Sequence, residues 1–126
     1  MKITSSILFL PVSDIEKTAV FYTEAVGLIK VQEQSGGICR IFDTGYGYLG
    51  FCQYPDRRPA VGGDKGPCLS FNCKSREEVD AQYRRVLGLG CQTLCAPHQS
   101  EGFPVYSFLL MDPDGYKVEF QVIEEL

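Results

Sequence analysis

Histidine is almost absent: His98 is the only one in 126 residues. A two-histidine, one-carboxylate iron triad, or a two-histidine, two-glutamate nickel or zinc site, therefore cannot be assembled within one chain. A symmetric dimer would have to bring two copies of His98 together, and Pro97-His98-Gln99-Ser100-Glu101-Gly102 reads as a loop rather than a rigid element. No C-x-x-C occurs among the six cysteines, Cys39, Cys52, Cys68, Cys73, Cys91 and Cys95, and most sit in strand-like apolar contexts. They are expected to be small buried hydrophobes rather than a disulfide framework or a zinc site. Long apolar runs are missing too. The longest, Ile7 to Val12, is far too short to span a bilayer and lacks the flanks of a secretion signal. Positive charge is in deficit, 12 Lys and Arg against 16 Asp and Glu for a net −4. That balance leaves no electrostatic footprint for nucleic acid or an anionic membrane, and it favours neutral or cationic ligands. These absences lead us to expect a cytoplasmic protein without a nucleic-acid or membrane partner; a small-molecule ligand and, because an open sheet has edges that close best against a symmetry mate, a second copy of itself are the expected partners.

What is present is enough for one normal core, at 44% apolar and 12% aromatic residues. The chain centres on Met111 to Val122. Asp112-Pro113-Asp114-Gly115 has Pro at the second turn position, where its fixed φ already fits, and Gly at the fourth, as a type I turn prefers. The strand that follows alternates, with Val118, Phe120 and Val122 on one face and Lys117, Glu119 and Gln121 on the other. Glu119 thus points away from the apolar layer, either to solvent or into a cavity.

Ahead of that stretch, residues 3–12 read as a strand, with Pro11 at its end or on an edge. Ser13-Asp14-Ile15-Glu16 then supplies a helix cap from Ser13 or Asp14, and Ile15, Ala19, Tyr22 and Val26 recur at helical spacing until Gly27. Strands follow at 28–34, 38–43 and 48–54, joined by glycine-rich connections. Residues 55–66 carry prolines, glycines and mixed charge and read as a linker. The order then repeats: a strand at 67–73, a second capping box at Ser75-Arg76-Glu77-Glu78, a helical stripe of Val79, Tyr83, Val86 and Leu87, and strands at 91–96, 105–111 and 116–123. The expectation is an α+β fold in one domain: module 1 at 1–54, the linker, and module 2 at 67–126. Each module is βαβββ, and the two together form a curved mixed sheet around a cavity with helices on the outer face.

Val12-Ser13-Asp14 running through Thr18 to Phe21-Tyr22, then Val26-Gly27-Leu28, and the D-P-D-G turn leading to Glu119 resemble motifs of the vicinal oxygen chelate superfamily. That group includes glyoxalase I, bleomycin-resistance proteins, fosfomycin-resistance enzymes and extradiol dioxygenases. In metal-using members, the resemblance implies, ligands stand at three places that here hold Ile7, Cys68 and Glu119, with a further glutamate near residues 50–52. Ile7 cannot bind a metal and no carboxylate occupies 50–52, so the implied site is reduced to Cys68 and Glu119. A bound cofactor is not expected, and any divalent metal site would be incomplete. The resemblance therefore implies a metal-independent binder that sequesters an aromatic or amphipathic ligand. The alternative is a glyoxalase-like, lactoylglutathione-lyase-like lyase or isomerase using Glu119 as base or metal ligand.

Candidate site residues follow from alternation. Cys68 shares a strand face with Ser70 and Asn72, opposite Leu69, Phe71 and Cys73. Gln121 shares the face of Glu119. Arg40, alternating away from Cys39 and Ile41, is expected to be a fixed cation for a ligand carboxylate or phosphonate. Tyr106 is expected to stack on a planar ligand, and His98 to approach it from its loop. Glu119 is the candidate catalytic group.

Overall fold

The computed structural model describes residues 1–56 and 65–124. The chain divides into two compact units, Met1–Val61 and Gly62–Leu126. The linker expected at 55–66 lies mostly outside the described residues.

In the first unit β1 (Ile7–Pro11) leads into α1 (Ile15–Val20), which continues as a π-helical segment (Phe21–Val26) before β2 (Ile29–Gln34), β3 (Cys39–Asp43) and β4 (Tyr48–Cys52). The first strand is shorter than its apolar pattern, beginning at Ile7. Asp14 is the cap left open between two candidates: its carboxylate accepts the N–H groups of Glu16 at 3.1 Å and Lys17 at 3.2 Å. Gly27, at φ 88°, ends the helical run in the left-handed conformation that only glycine adopts cheaply. The sheet runs β1-β4-β3-β2, with β1 parallel to β4 and the other pairs antiparallel.

The second unit repeats this plan with β5 (Cys68–Asn72), α2 (Arg76–Gly88), β6 (Thr93–Gln99), β7 (Val105–Met111) and β8 (Lys117–Ile123). Its order is β5-β8-β7-β6, again with the first strand parallel to the last. Two four-stranded mixed sheets, each with a helix in its first crossover, make this an α+β fold of two βαβββ modules. No helix among the described residues is long and apolar enough to cross a membrane.

In each unit one sheet face packs on its own helix. Leu10, Phe42, Leu49 and Phe51 line that face in the first unit, where the Tyr22 ring stacks on Phe51 with centroids 4.3 Å apart. In the second, Phe108 is fully buried between Tyr83 of α2 and Phe120 of β8. Each such ring stabilises the fold by roughly 1.5–3 kcal/mol through burial. Thr18 is an exception on the helix side: it is fully buried and its hydroxyl has no hydrogen-bond partner among the described residues. Thr18→Val keeps the shape and removes the unmatched polar atom, so urea denaturation should show the variant more stable by about 1 kcal/mol.

The cysteines do not behave alike. Cys39 and Cys52, expected to be separate buried hydrophobes, face each other across β3 and β4 and are joined by a disulfide. The pairing of two strands brought into register what lay 13 residues apart in sequence. The other four are free, and Cys68 is exposed rather than buried. Burial raises the Cys73 and Cys91 thiol pKa values above the ordinary range.

Candidate functional site

The face of the second sheet turned away from α2 gathers most of the expected site. Strand register sets its rows. Asn72 of β5 pairs with Gln121 of β8, Gln121 with Ser107 of β7, and Ser107 with His98 of β6. The neighbouring row runs Ser70, Glu119, Leu109 and Cys95, and Cys68, Lys117 and Met111 lie beyond it. Directly paired residues project to the same side, so one face carries an acid, a lysine, two amides, two hydroxyls, two thiols and an imidazole beside apolar Leu109 and Met111.

The hydrogen bonds on this face leave acceptors over. Ser70 donates its hydroxyl proton to one oxygen of Glu119 at 2.7 Å, and the Cys68 sulfur lies 3.6 Å from the same hydroxyl. The second Glu119 oxygen has no protein partner among the described residues. The Gln121 side-chain N–H donates to the Asn72 side-chain oxygen at 3.0 Å, which leaves the Gln121 side-chain oxygen and the Asn72 NH₂ without a partner among the described residues. His98 Nδ1 lies 2.9 Å from the Ala96 carbonyl oxygen. A carbonyl only accepts, so Nδ1 carries a proton, and in the neutral ring Nε2 presents a lone pair.

Several expected residues stand elsewhere or differently. His98 is not in a loop but inside β6, because the strand continues past Pro97 through a bulge between Cys95 and His98. Arg40 does not sit on the open face of its sheet. It shares the helix side with Phe42, where Nη1 and Nη2 bond the Glu16 carboxylate of α1 and Nε donates to the Gly37 carbonyl at 2.9 Å. The bond to Glu16 is the main reason its pKa lies above the usual guanidinium value. A groove of about 250 Å³ runs beside it, lined by Glu16, Val20, Thr23, Glu24, Lys30 and Phe42. Tyr106 is likewise on the helix side, donating its hydroxyl proton to Asp80 of α2 at 2.6 Å with the Arg76 guanidinium 4.7 Å above its ring.

That bond to Asp80 is the largest cause holding the Tyr106 phenol above its ordinary pKa, with burial adding to it. A group with a raised folded-state pKa contributes stability below its unfolded value of about 10 and loses it as pH climbs through the folded value. The stability advantage of the wild type over Tyr106→Phe should therefore be constant near neutrality and shrink above about pH 10, as urea midpoints at successive pH values would show.

Ser107 was not singled out by its sequence, although it is 1% exposed and joins the Gln121 and His98 rows. Its alternation with Tyr106 and Phe108 carried the signal, which becomes readable only once β7 is set against β8. In the first sheet, the open face of β1 and β4 holds Ile7, Phe9, Tyr48 and Gly50. The Phe9 ring lies where a side chain on Gly50 would be, so any Cβ there would collide with it.

Of the positions where the resemblance implied metal ligands, Cys68 and Glu119 both contact the Ser70 hydroxyl, and Ile7 carries no donor atom. No group of three His, Cys, Asp or Glu side chains among the described residues could hold an ion.

The sequence profile of the Glyoxalase/Bleomycin resistance protein/Dioxygenase superfamily matches residues 5–120, and the chain belongs to that superfamily. None of the proteins of curated function matches it. Among solved structures it is similar to a glyoxalase/bleomycin resistance protein/dioxygenase family enzyme from Burkholderia phytofirmans PsJN, at TM-score 0.79 and 21% identity over 93% of this chain and 96% of that one. Lactoylglutathione lyase from Agrobacterium tumefaciens superposes at TM-score 0.73 with 22% identity, over 93% and 91% of the two chains. TioX from Micromonospora sp. ML1 does so at 0.71 with 15% identity, over 95% and 98%.

Proposed function

We propose that this protein binds a small amphipathic or aromatic molecule on the open face of its second sheet without a metal, and sequesters it. The observation that carries the reading is the set of acceptors unmatched among the described residues, the second Glu119 oxygen, the Gln121 side-chain oxygen and the Nε2 of neutral His98, beside apolar Leu109. These acceptors outnumber the leftover Asn72 NH₂ donor and favour ligands that bring donors, in keeping with the chain's net −4. Thermal-shift screening should show aromatic amines, amides and phenols raising the melting temperature and matched carboxylates failing to. Ligand at a hundred times its Kd stabilises by about 2.7 kcal/mol, well within reach of that assay. A broad panel without a single shift would overturn the reading.

One observation favours a second reading, lyase or isomerase chemistry, of which the Agrobacterium neighbour's name carries the first. The second oxygen of Glu119, without a partner among the described residues, would accept a proton from a carbon acid bound beside it. Turnover of such a substrate, lost in Glu119→Gln, would support it.

The proposal includes self-association and a cytoplasmic setting. Ile7 and Phe9 on the open face of the edge strand β1 are 42% and 44% exposed, an apolar surface that a second copy would cover. Light scattering should return about twice the 14.0 kDa chain mass. Four free cysteines suit a reducing compartment, which fractionation of expressing cells would test.

A further inference from the structure

We propose that Cys39 and Cys52 form a reversible dithiol–disulfide couple that fastens and releases one end of the first sheet. The two face each other in register with Cα atoms 4.1 Å apart. Gln53 donates its N–H to the Ile38 carbonyl at 2.9 Å, which marks the cysteines between them as a non-hydrogen-bonded pair, the type whose side chains come closest. Ladder bonds on either side hold the sulfurs together whether or not they are bonded. The bond can therefore open and close without either strand leaving the sheet.

Exposure gives the two sulfurs different roles. Cys39 is partly open to solvent, while Cys52 is 3% exposed and reachable from Cys39. An external disulfide meets Cys39 first. The Cys39 thiolate, its proton lost to water, attacks one sulfur of a disulfide of the glutathione class and releases one thiolate of that class, leaving a mixed disulfide. The Cys52 thiolate then attacks the Cys39 sulfur, the mixed bond breaks, and the second small thiolate departs. Two protein thiols are oxidised and one small disulfide is reduced to two thiols, a transfer of two electrons. The reverse consumes two thiols of the same class. An accessible attacking cysteine beside a resolving one is the arrangement that redox-responsive pairs need.

What the bond fastens is visible around Cys52. Its carbonyl accepts the Val12 N–H at 3.0 Å, and the side chain of the next residue, Gln53, accepts the Ile15 N–H at the start of α1 at 2.9 Å. The disulfide thus ties the beginning of β3 to a strand end that also holds the start of the helix.

The test uses the wild-type protein equilibrated in glutathione buffers from fully reduced to fully oxidised, denatured in acid, alkylated and weighed intact. Six labels are expected in reduced buffer and four in oxidised, interconverting in both directions, with the two missing labels mapping to Cys39 and Cys52. Amide exchange at Val12, Ile15 and Gln53 should be about tenfold slower in the oxidised form. Cys68→Ser should lower both label counts by one and leave the transition in place. Six labels at every glutathione ratio, four labels that persist in reduced buffer, or a bond mapping to other cysteines would each overturn the couple. Equal exchange rates in the two forms would overturn its fastening role.

Discussion

Asp112→Ala should cost about 3–5 kcal/mol of unfolding free energy, a large share of the roughly 5–15 kcal/mol a domain possesses. Asp112 is 5% exposed, and one of its carboxylate oxygens accepts two backbone N–H groups, from Asp114 at 2.8 Å and Tyr116 at 2.9 Å. The chain closes around this point. The Gly115 N–H bonds the Asp112 carbonyl at 3.0 Å, the Asp112 N–H bonds the Tyr116 carbonyl at 3.0 Å, and Gly115 takes φ +82°. Alanine leaves both N–H groups without their acceptor, the one on Tyr116 in a buried setting. Each lost bond to a charged acceptor is worth about 1.5–3 kcal/mol. Asp112→Asn keeps an oxygen but loses the charge, and should fall about halfway. Urea midpoints decide the matter, and an alanine variant as stable as wild type would show that the turn is held by its backbone alone. The same turn sets the register of β8, so the alanine variant should also lose the alignment of Glu119 with Ser70.

Glu119→Gln should weaken binding of a donor-bearing or cationic ligand ten- to a hundred-fold, the loss of about 1.5–3 kcal/mol that a charged hydrogen bond provides. The substitution is nearly isosteric and retains an oxygen for Ser70, so the fold should be unaffected and the change in Kd should report the ligand contact. Ser70→Ala removes only the hydroxyl that steadies the acid, and about a tenfold loss or less is expected. Titration calorimetry with the best compound of the screen measures both. An unchanged Kd in the glutamine variant would remove Glu119 from the binding surface.

Much of the fold was readable because it rests on local signals. The turn at Asp112–Gly115, the cap at Ser75 and a cap at Ser13 or Asp14, the glycine stop at Gly27 and the two-residue alternation of β8 are all decided by neighbours within a few positions. The grouping of Cys68, Ser70 and Asn72 with Glu119 and Gln121 could be read for the same reason: alternation fixes which way each strand's side chains face. What alternation could not supply is which face a helix covers. Arg40 and Tyr106 alternate as required but lie on the helix side, where Glu16 and Asp80 offer carboxylates from a distant part of the chain. His98 was misplaced because Pro97 and the polar run after it resemble a loop, while a bulge lets the strand continue. The Cys39–Cys52 bond and the Phe9 ring over Gly50 depend on strand pairing, which composition and periodicity do not encode.

The most direct test of ligand binding on the open face of the second sheet is a two-dimensional nuclear magnetic resonance titration with the strongest compound from the thermal screen. Saturable shifts are expected at the side-chain amides of Asn72 and Gln121, at the His98 ring and at the backbone of Ser107 and Glu119. Shifts confined to the first unit, or to the α2 side around Tyr106 and Asp80, would contradict it.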